Sequence, residues 1–156
     1  MFNLNLQING KEVRTEIPTN LLLSEFLRYN LGLTGTHIGC DTSQCGACMV
    51  LLNKKSVKSC SILAAKCDKK EITTVEGLGS DKDMHEVQKS FKEKHGLQCG
   101  FCTPGLLMSA IEIKNSKLSS EKEIRDFLKG NFCRCTGYQN IVKSIIHFIN
   151  KPNNNE

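Results

Sequence analysis

The sequence predicts an α+β protein in two lobes, a small sheet in the first half and four helices in the second. Two observations carry this. Apolar residues alternate with polar ones in short runs up to about residue 75, then recur at helical spacing beyond residue 83. Eight of the nine cysteines also fall into two quartets, one in each half. The pattern changes near Gly77–Asp83, so the lobes are expected at residues 1–78 and 79–156, with Gly77-Leu78-Gly79 as linker. That glycine pair is too short for a phosphate loop.

In the first lobe Phe2, Leu4, Leu6 and Ile8 alternate, Asn9-Gly10 supplies a type I′ turn, and Val13, Thr15 and Ile17 alternate back to Pro18. Leu22, Leu23, Phe26 and Leu27 mark a short helix closed near Gly32. Met49–Leu52 and Ser56–Cys60 form a second expected hairpin about Asn53-Lys54, and Glu71–Val75 a last strand. This order describes a β-grasp sheet, the scaffold of plant-type ferredoxins. In the second lobe, Asp83 with Glu86 opens a helix that runs through Val87 and Phe91 to Gly96. Thr103 as N-cap and Pro104 at the first helical position open the next, carrying Leu106, Leu107, Ala110 and Ile111. Ser120 with Glu123 is a capping box for a third, which stops at Gly130. The fourth runs from about Tyr138 to Asn150. The tail Pro152–Glu156 is the one segment expected to be disordered.

The first quartet, Cys40, Cys45, Cys48 and Cys60, has the spacing C-x4-C-x2-C with a fourth cysteine after eleven intervening residues. That is the plant-type [2Fe-2S] run. Gly39 and Gly46 remove side chains where backbone N–H groups must approach sulfur. The second quartet is Cys99, Cys102, Cys133 and Cys135, and both of its pairs precede helix starts. Helix dipoles and unpaired N–H groups there favour the negative charge of four thiolates on a di-iron core. A disulfide framework would need an oxidising compartment, whereas Phe2–Ile8 reads as a strand and not as a secretory signal, and the cysteine count is odd. Two structural zinc sites are the stronger rival. Zinc knuckles usually pair two C-x2-C units, which the gaps between Cys40 and Cys45 and between Cys133 and Cys135 fit poorly. Cys67 is left over as an expected buried, inert thiol. His37 borders the first loop and is expected to be structural or solvent-facing; His85, His95 and His147 are expected at surfaces or helix ends.

The formal charge of +5 omits any clusters. Each oxidised cluster with four thiolates carries about −2, which brings the loaded chain to roughly +1. Nucleic-acid binding thereby loses its main support, and Lys66, Lys69 and Lys70 read as a solvated face. No apolar run approaches the ~20 residues of a membrane span, and a cytoplasmic location is expected. No nucleophile–base pair or paired carboxylates stand out, so no turnover is expected on this chain alone.

The segments Gly39–Cys48, Gln98–Gly105 and Gly130–Asn140 together resemble the small iron-sulfur subunit of the molybdenum hydroxylases, the family of xanthine dehydrogenase, aldehyde oxidoreductases and aerobic carbon monoxide dehydrogenase. The resemblance runs from the opening hairpin to about Asn150. Residues 35–43 and 138–143 look most like the carbon monoxide dehydrogenase small subunit. Met49 and Phe132 depart from the threonine and leucine usual there and remove no ligand. The resemblance implies an electron-transfer subunit of an oxidoreductase with two [2Fe-2S] clusters. One sits on Cys99, Cys102, Cys133 and Cys135 beside the molybdopterin cofactor of a large partner subunit. The other, on Cys40, Cys45, Cys48 and Cys60, lies nearer an FAD held by a medium subunit. Gln98 matches the glutamine that hydrogen-bonds the pterin, and Cys135 the cysteine closest to it. A dimer of heterotrimers is the implied assembly. Carbon monoxide is the first substrate expected; a purine, an aldehyde or an N-heteroaromatic ring is the alternative, and a free-standing ferredoxin-like carrier or redox sensor is the competing class. The clusters are expected to differ in potential around roughly −400 mV.

Overall fold

The structure, a computed structural model, describes residues 1–40, 42–80 and 82–151. The expected disorder of Pro152–Glu156 lies outside them. Strands β1 (Phe2–Ile8) and β2 (Lys11–Ile17) pair antiparallel from Phe2 opposite Ile17 to Ile8 opposite Lys11. Asn9 and Gly10 turn between them at φ of 51° and 76°, the left-handed pair that a type I′ turn requires. Strands β3 (Met49–Leu52), β4 (Lys55–Lys58) and β5 (Glu71–Thr73) complete a five-stranded sheet in the order β2-β1-β5-β3-β4. β5 lies parallel to β1 and antiparallel to β3, the mixed β-grasp arrangement. Helix α1 (Leu23–Glu25) runs directly into a π-helical turn over Phe26–Asn30 and covers the sheet.

Alternation places Leu4, Leu6 and Ile8 of β1 in a core shared with Ile17, Leu23, Phe26, Leu27, Val50, Ala64, Cys67 and Ile72. Cys67 is fully buried, as expected. β5 ends at Thr73 and not at Val75, because Val75–Gly77 folds into a 3-10 turn.

The second core is built by α2 (Glu86–Glu93), α3 (Thr103–Asn115), α4 (Glu121–Phe127) and α5 (Gln139–Ile149). The capping box of Ser120 and Glu123 forms as expected at α4. Helix α2 starts later than expected. His85 and not Asp83 is its N-cap, with Nδ1 accepting from Val87 N at 3.2 Å and Gln88 returning the contact to His85 N. Thr103 is likewise the first residue of α3 and not its cap; Cys102 takes the cap position, and the buried Thr103 hydroxyl has no hydrogen-bond partner.

The two cores meet at β3. Val50 points into the sheet core, while Leu51 and Met49 point the other way and pack with the helices, joined there by Val75 and Leu78. Across this seam Glu112 of α3, only 9% exposed, accepts from Ser56 N at 2.5 Å and from the Ser56 hydroxyl, and pairs with Lys55 at 3.4 Å.

Two candidate iron-sulfur centres

The loop between α1 and β3 carries Cys40, Cys45 and Cys48, and the 3-10 turn Ser59–Ser61 after β4 brings Cys60 beside Cys48. The backbone N–H of Cys45, with those of Thr42 and Gln44, points at Cys40 Sγ and holds that thiol near a pKa of about 6. Cys45 N lies 3.4 Å from the sulfur. Burial pushes the Cys48 thiol up to about 11. Gly39 serves as expected: a Cβ there would lie 3.2 Å from Cys45 Sγ and 3.0 Å from the Phe101 ring. Gly46 has a different duty. At φ 72° it leaves room for the carbonyl of Gly130 and for Asn131, not for a sulfur contact. Lys58 donates to the carbonyls of Ser43 and Gln44 at 2.7 and 3.1 Å, tying the loop to β4.

In the helical lobe the thiols again meet in twos. Cys99 and Cys135 place their sulfurs 3.5 Å apart, close to the roughly 3.8 Å edge of a tetrahedron with metal–sulfur bonds of about 2.3 Å. Cys102 faces Cys133, and burial pushes its thiol up to about 12. Burial also raises Cys133, but hydrogen bonds from the Thr136 side chain and backbone and from the Cys135 backbone outweigh it and lower that thiol. Helix α5 begins at Gln139, beyond Thr136, Gly137 and Tyr138. The contact to sulfur therefore comes from the loop: Thr136 Oγ1 lies 3.1 Å from Cys133 Sγ. Tyr138, at φ 66°, locks this loop by accepting from Cys133 N and donating to the Asn131 carbonyl, both at 2.9 Å.

The donor sets suit two-iron clusters. Each quartet offers two thiol pairs, one for each iron, and thiols that burial keeps protonated alone are ionised outright by a coordinated metal. Gln98, Cys99 and Cys135 are exposed, whereas Cys48 is 1% exposed. The two cysteine loops are joined by a hydrogen bond from Phe132 N to the Cys45 carbonyl at 2.8 Å. A second link is His37. It stacks on Phe101 at 4.7 Å, and its Nδ1 donates to the Phe101 carbonyl at 2.7 Å, which makes it structural as expected. The sequence did not point to Tyr138, Lys58 or the Thr136 hydroxyl. A Thr-Gly-Tyr directly after a C-x-C pair is the local signal that could have raised two of them.

The β-grasp sheet, the helical lobe and the sequence spacing of the two cysteine quartets are those of an iron-sulfur protein. Residues 6–77 match the family model described as a 2Fe-2S iron-sulfur cluster binding domain, and residues 74–146 the one described as a [2Fe-2S] binding domain. The chain is 46% identical over 146 residues to the gamma subunit of caffeine dehydrogenase from Pseudomonas sp. (strain CBB1), covering 91% of this chain and 87% of that one. Its fold is similar to a chain of quinoline 2-oxidoreductase from Pseudomonas putida 86, with a TM-score of 0.90, 38% identity, and 95% and 93% of the two chains covered. It is also similar to the aldehyde oxidoreductase of Desulfovibrio gigas, with a TM-score of 0.92 and 37% identity; the match takes 96% of this chain and 17% of that one. The chain belongs to the small iron-sulfur subunits of the molybdenum hydroxylase family. Among the described residues no helix is long and apolar enough to cross a membrane.

Proposed function

We propose that this chain relays electrons from a molybdopterin centre on a large partner subunit to an FAD on a medium subunit. The observation that carries the reading is the hydrogen bond from Phe132 N to the Cys45 carbonyl, which places one cysteine quartet a single residue from the other. Cys99, Cys102, Cys133 and Cys135 hold one cluster, and Cys40, Cys45, Cys48 and Cys60 the second. When bound, each cluster stores one electron at a time, which divides the pair a molybdenum centre delivers. The exposed Gln98 and Cys135 face the pterin. Cys133 passes on through Phe132 N to Cys45, and Asn131, donating to the Gly46 carbonyl at 3.4 Å, holds the two loops together beside this route. The lobes divide near residue 78, close to where the two family matches overlap at residues 74–77.

The substrate we favour is an aromatic nitrogen heterocycle, since caffeine and quinoline, named for two of the relatives, are both such rings. An aldehyde is the second reading, supported by the aldehyde oxidoreductase match. Carbon monoxide, expected from residues 35–43 and 138–143, rests on those residues alone. The location proposed is the cytoplasm, the assembly a dimer of heterotrimers.

The natively purified chain should carry about four irons, two for each [2Fe-2S] cluster, with molybdenum and flavin on copurifying chains. Dithionite reduction should give two distinct spin-resonance signals. Oxidation of N-heteroaromatics by the complex supports the substrate reading, and turnover of aldehydes or carbon monoxide alone overturns it. Zinc in place of iron, or iron without a molybdenum partner, overturns the relay.

A further inference from the structure

We propose that Thr136 sets the reduction potential of the helical-lobe centre by donating a hydrogen bond from its hydroxyl to Cys133 Sγ. The proposal rests on the reading above, in which Cys133 is a cluster ligand.

The oxygen lies 3.1 Å from the sulfur, short for a contact to so large an atom. Its donor role follows from the ligand. A ligating thiolate carries no proton to give, so the hydroxyl must be the donor. The same oxygen accepts from Tyr138 N at 3.1 Å, a bond compatible with its proton being given to the sulfur. The hydroxyl is also held still. Tyr138 N is positioned by the left-handed backbone at that residue, and the Tyr138 ring is anchored by its two hydrogen bonds to Cys133 N and the Asn131 carbonyl. That ring helps line a cleft of about 270 Å³ with Leu128, Phe132 and Val142.

Reduction adds one electron to the cluster. No bond forms or breaks, the proton stays on the Thr136 oxygen, and the cluster with its four thiolates gains one negative charge. A donor aimed at ligand sulfur stabilises the more negative state and raises the potential. The sheet lobe has a weaker counterpart, since Ser43 Oγ stands 3.8 Å from Cys60 Sγ. Thr136 is thus a positioning residue with an electrostatic duty, beyond its service as a turn acceptor ahead of α5.

The test is redox-poised spin resonance of the purified complex carrying Thr136→Val, Thr136→Ala or Thr136→Ser. The Val and Ala variants should make the helical-lobe cluster roughly tenfold harder to reduce, about 59 mV for one electron. The sheet-lobe cluster should not move, and Thr136→Ser should restore the parent value. An unmoved potential in a Val or Ala variant that keeps its four irons overturns the proposal, as does an equal shift of both clusters. Loss of the helical-lobe cluster from both hydroxyl-free variants also overturns it, because the hydroxyl would then be needed for assembly. The underlying reading fails separately if Cys133→Ser retains both parent signals.

Discussion

Glu112→Ala is the change expected to loosen the two lobes most for the fewest atoms removed. The carboxylate sits on α3, is 9% exposed, and reaches across to β4. It accepts from the Ser56 backbone at 2.5 Å and from the Ser56 hydroxyl, and both are hydrogen bonds to a charged group worth about 1.5–3 kcal/mol each. The Lys55 ammonium at 3.4 Å adds little, about 0.5 kcal/mol, since that side chain is 69% exposed and screened by solvent. Ser56 is only half-buried, so water partly repairs the stranded donors, and the net loss comes to about 3 kcal/mol. For a chain of this size that lowers the melting midpoint by about 6–12 °C. The assay is thermal loss of helical circular dichroism and of cluster absorbance at one fixed scan rate, because cluster release makes unfolding irreversible. Combining Glu112→Ala with Ser56→Ala should reveal a coupling of about 1–2 kcal/mol, while Lys55→Ala alone should stay within about 0.5 kcal/mol of the parent. A Glu112→Ala midpoint within about 2 °C of the parent would refute the reasoning.

Gly105→Ala should cost about 2–3 kcal/mol and weaken cluster retention in both lobes, read as iron content after gel filtration, because its Cβ would strike the backbone carbonyl of Gly46. Cys67→Ala should cost about 1 kcal/mol and keep the parent's iron content; loss of iron would make Cys67 a ligand. His85 caps α2 only when neutral, and burial first of all, with Lys114 and Lys89 also opposing Glu86, holds its pKa below the usual histidine value. Its folded pKa lies below its unfolded one, so its contribution is fully present above about pH 6.5 and is lost as acid protonates the unfolded chain first. His85→Asn keeps a capping side chain and should flatten the fall in urea midpoint between pH 7 and pH 5.5; an unchanged slope would rule His85 out as its source.

The opening hairpin and the α4 capping box were legible because each is written locally. Asn9-Gly10 can hardly do anything but turn, and Ser120 and Glu123 satisfy each other within one helical turn. The cysteine spacing announced the centres for the same reason. The start of α2 was misplaced because Asp83 is the commoner capping residue, whereas His85 can cap only with an unprotonated Nδ1, a state that no sequence pattern reports. Thr103 followed the statistics of capping residues, yet the chain enters α3 one residue earlier, at Cys102. The roles of Glu112, Gly46 and Gly105 were invisible because each depends on a contact more than fifty residues away in the chain.

The shared strand β3 has a consequence for how such a chain can be inherited. Severed after residue 78, the sheet lobe would turn Met49, Leu51, Val75 and Leu78 to water, and the helices would lose the wall they lean on. Neither half could be traded for another module without refitting the strand between them. The separation of the two cysteine quartets is therefore a property of the fold itself, set where Gly46 packs against Gly105, Gly130 and Asn131 and not by the length of the linker.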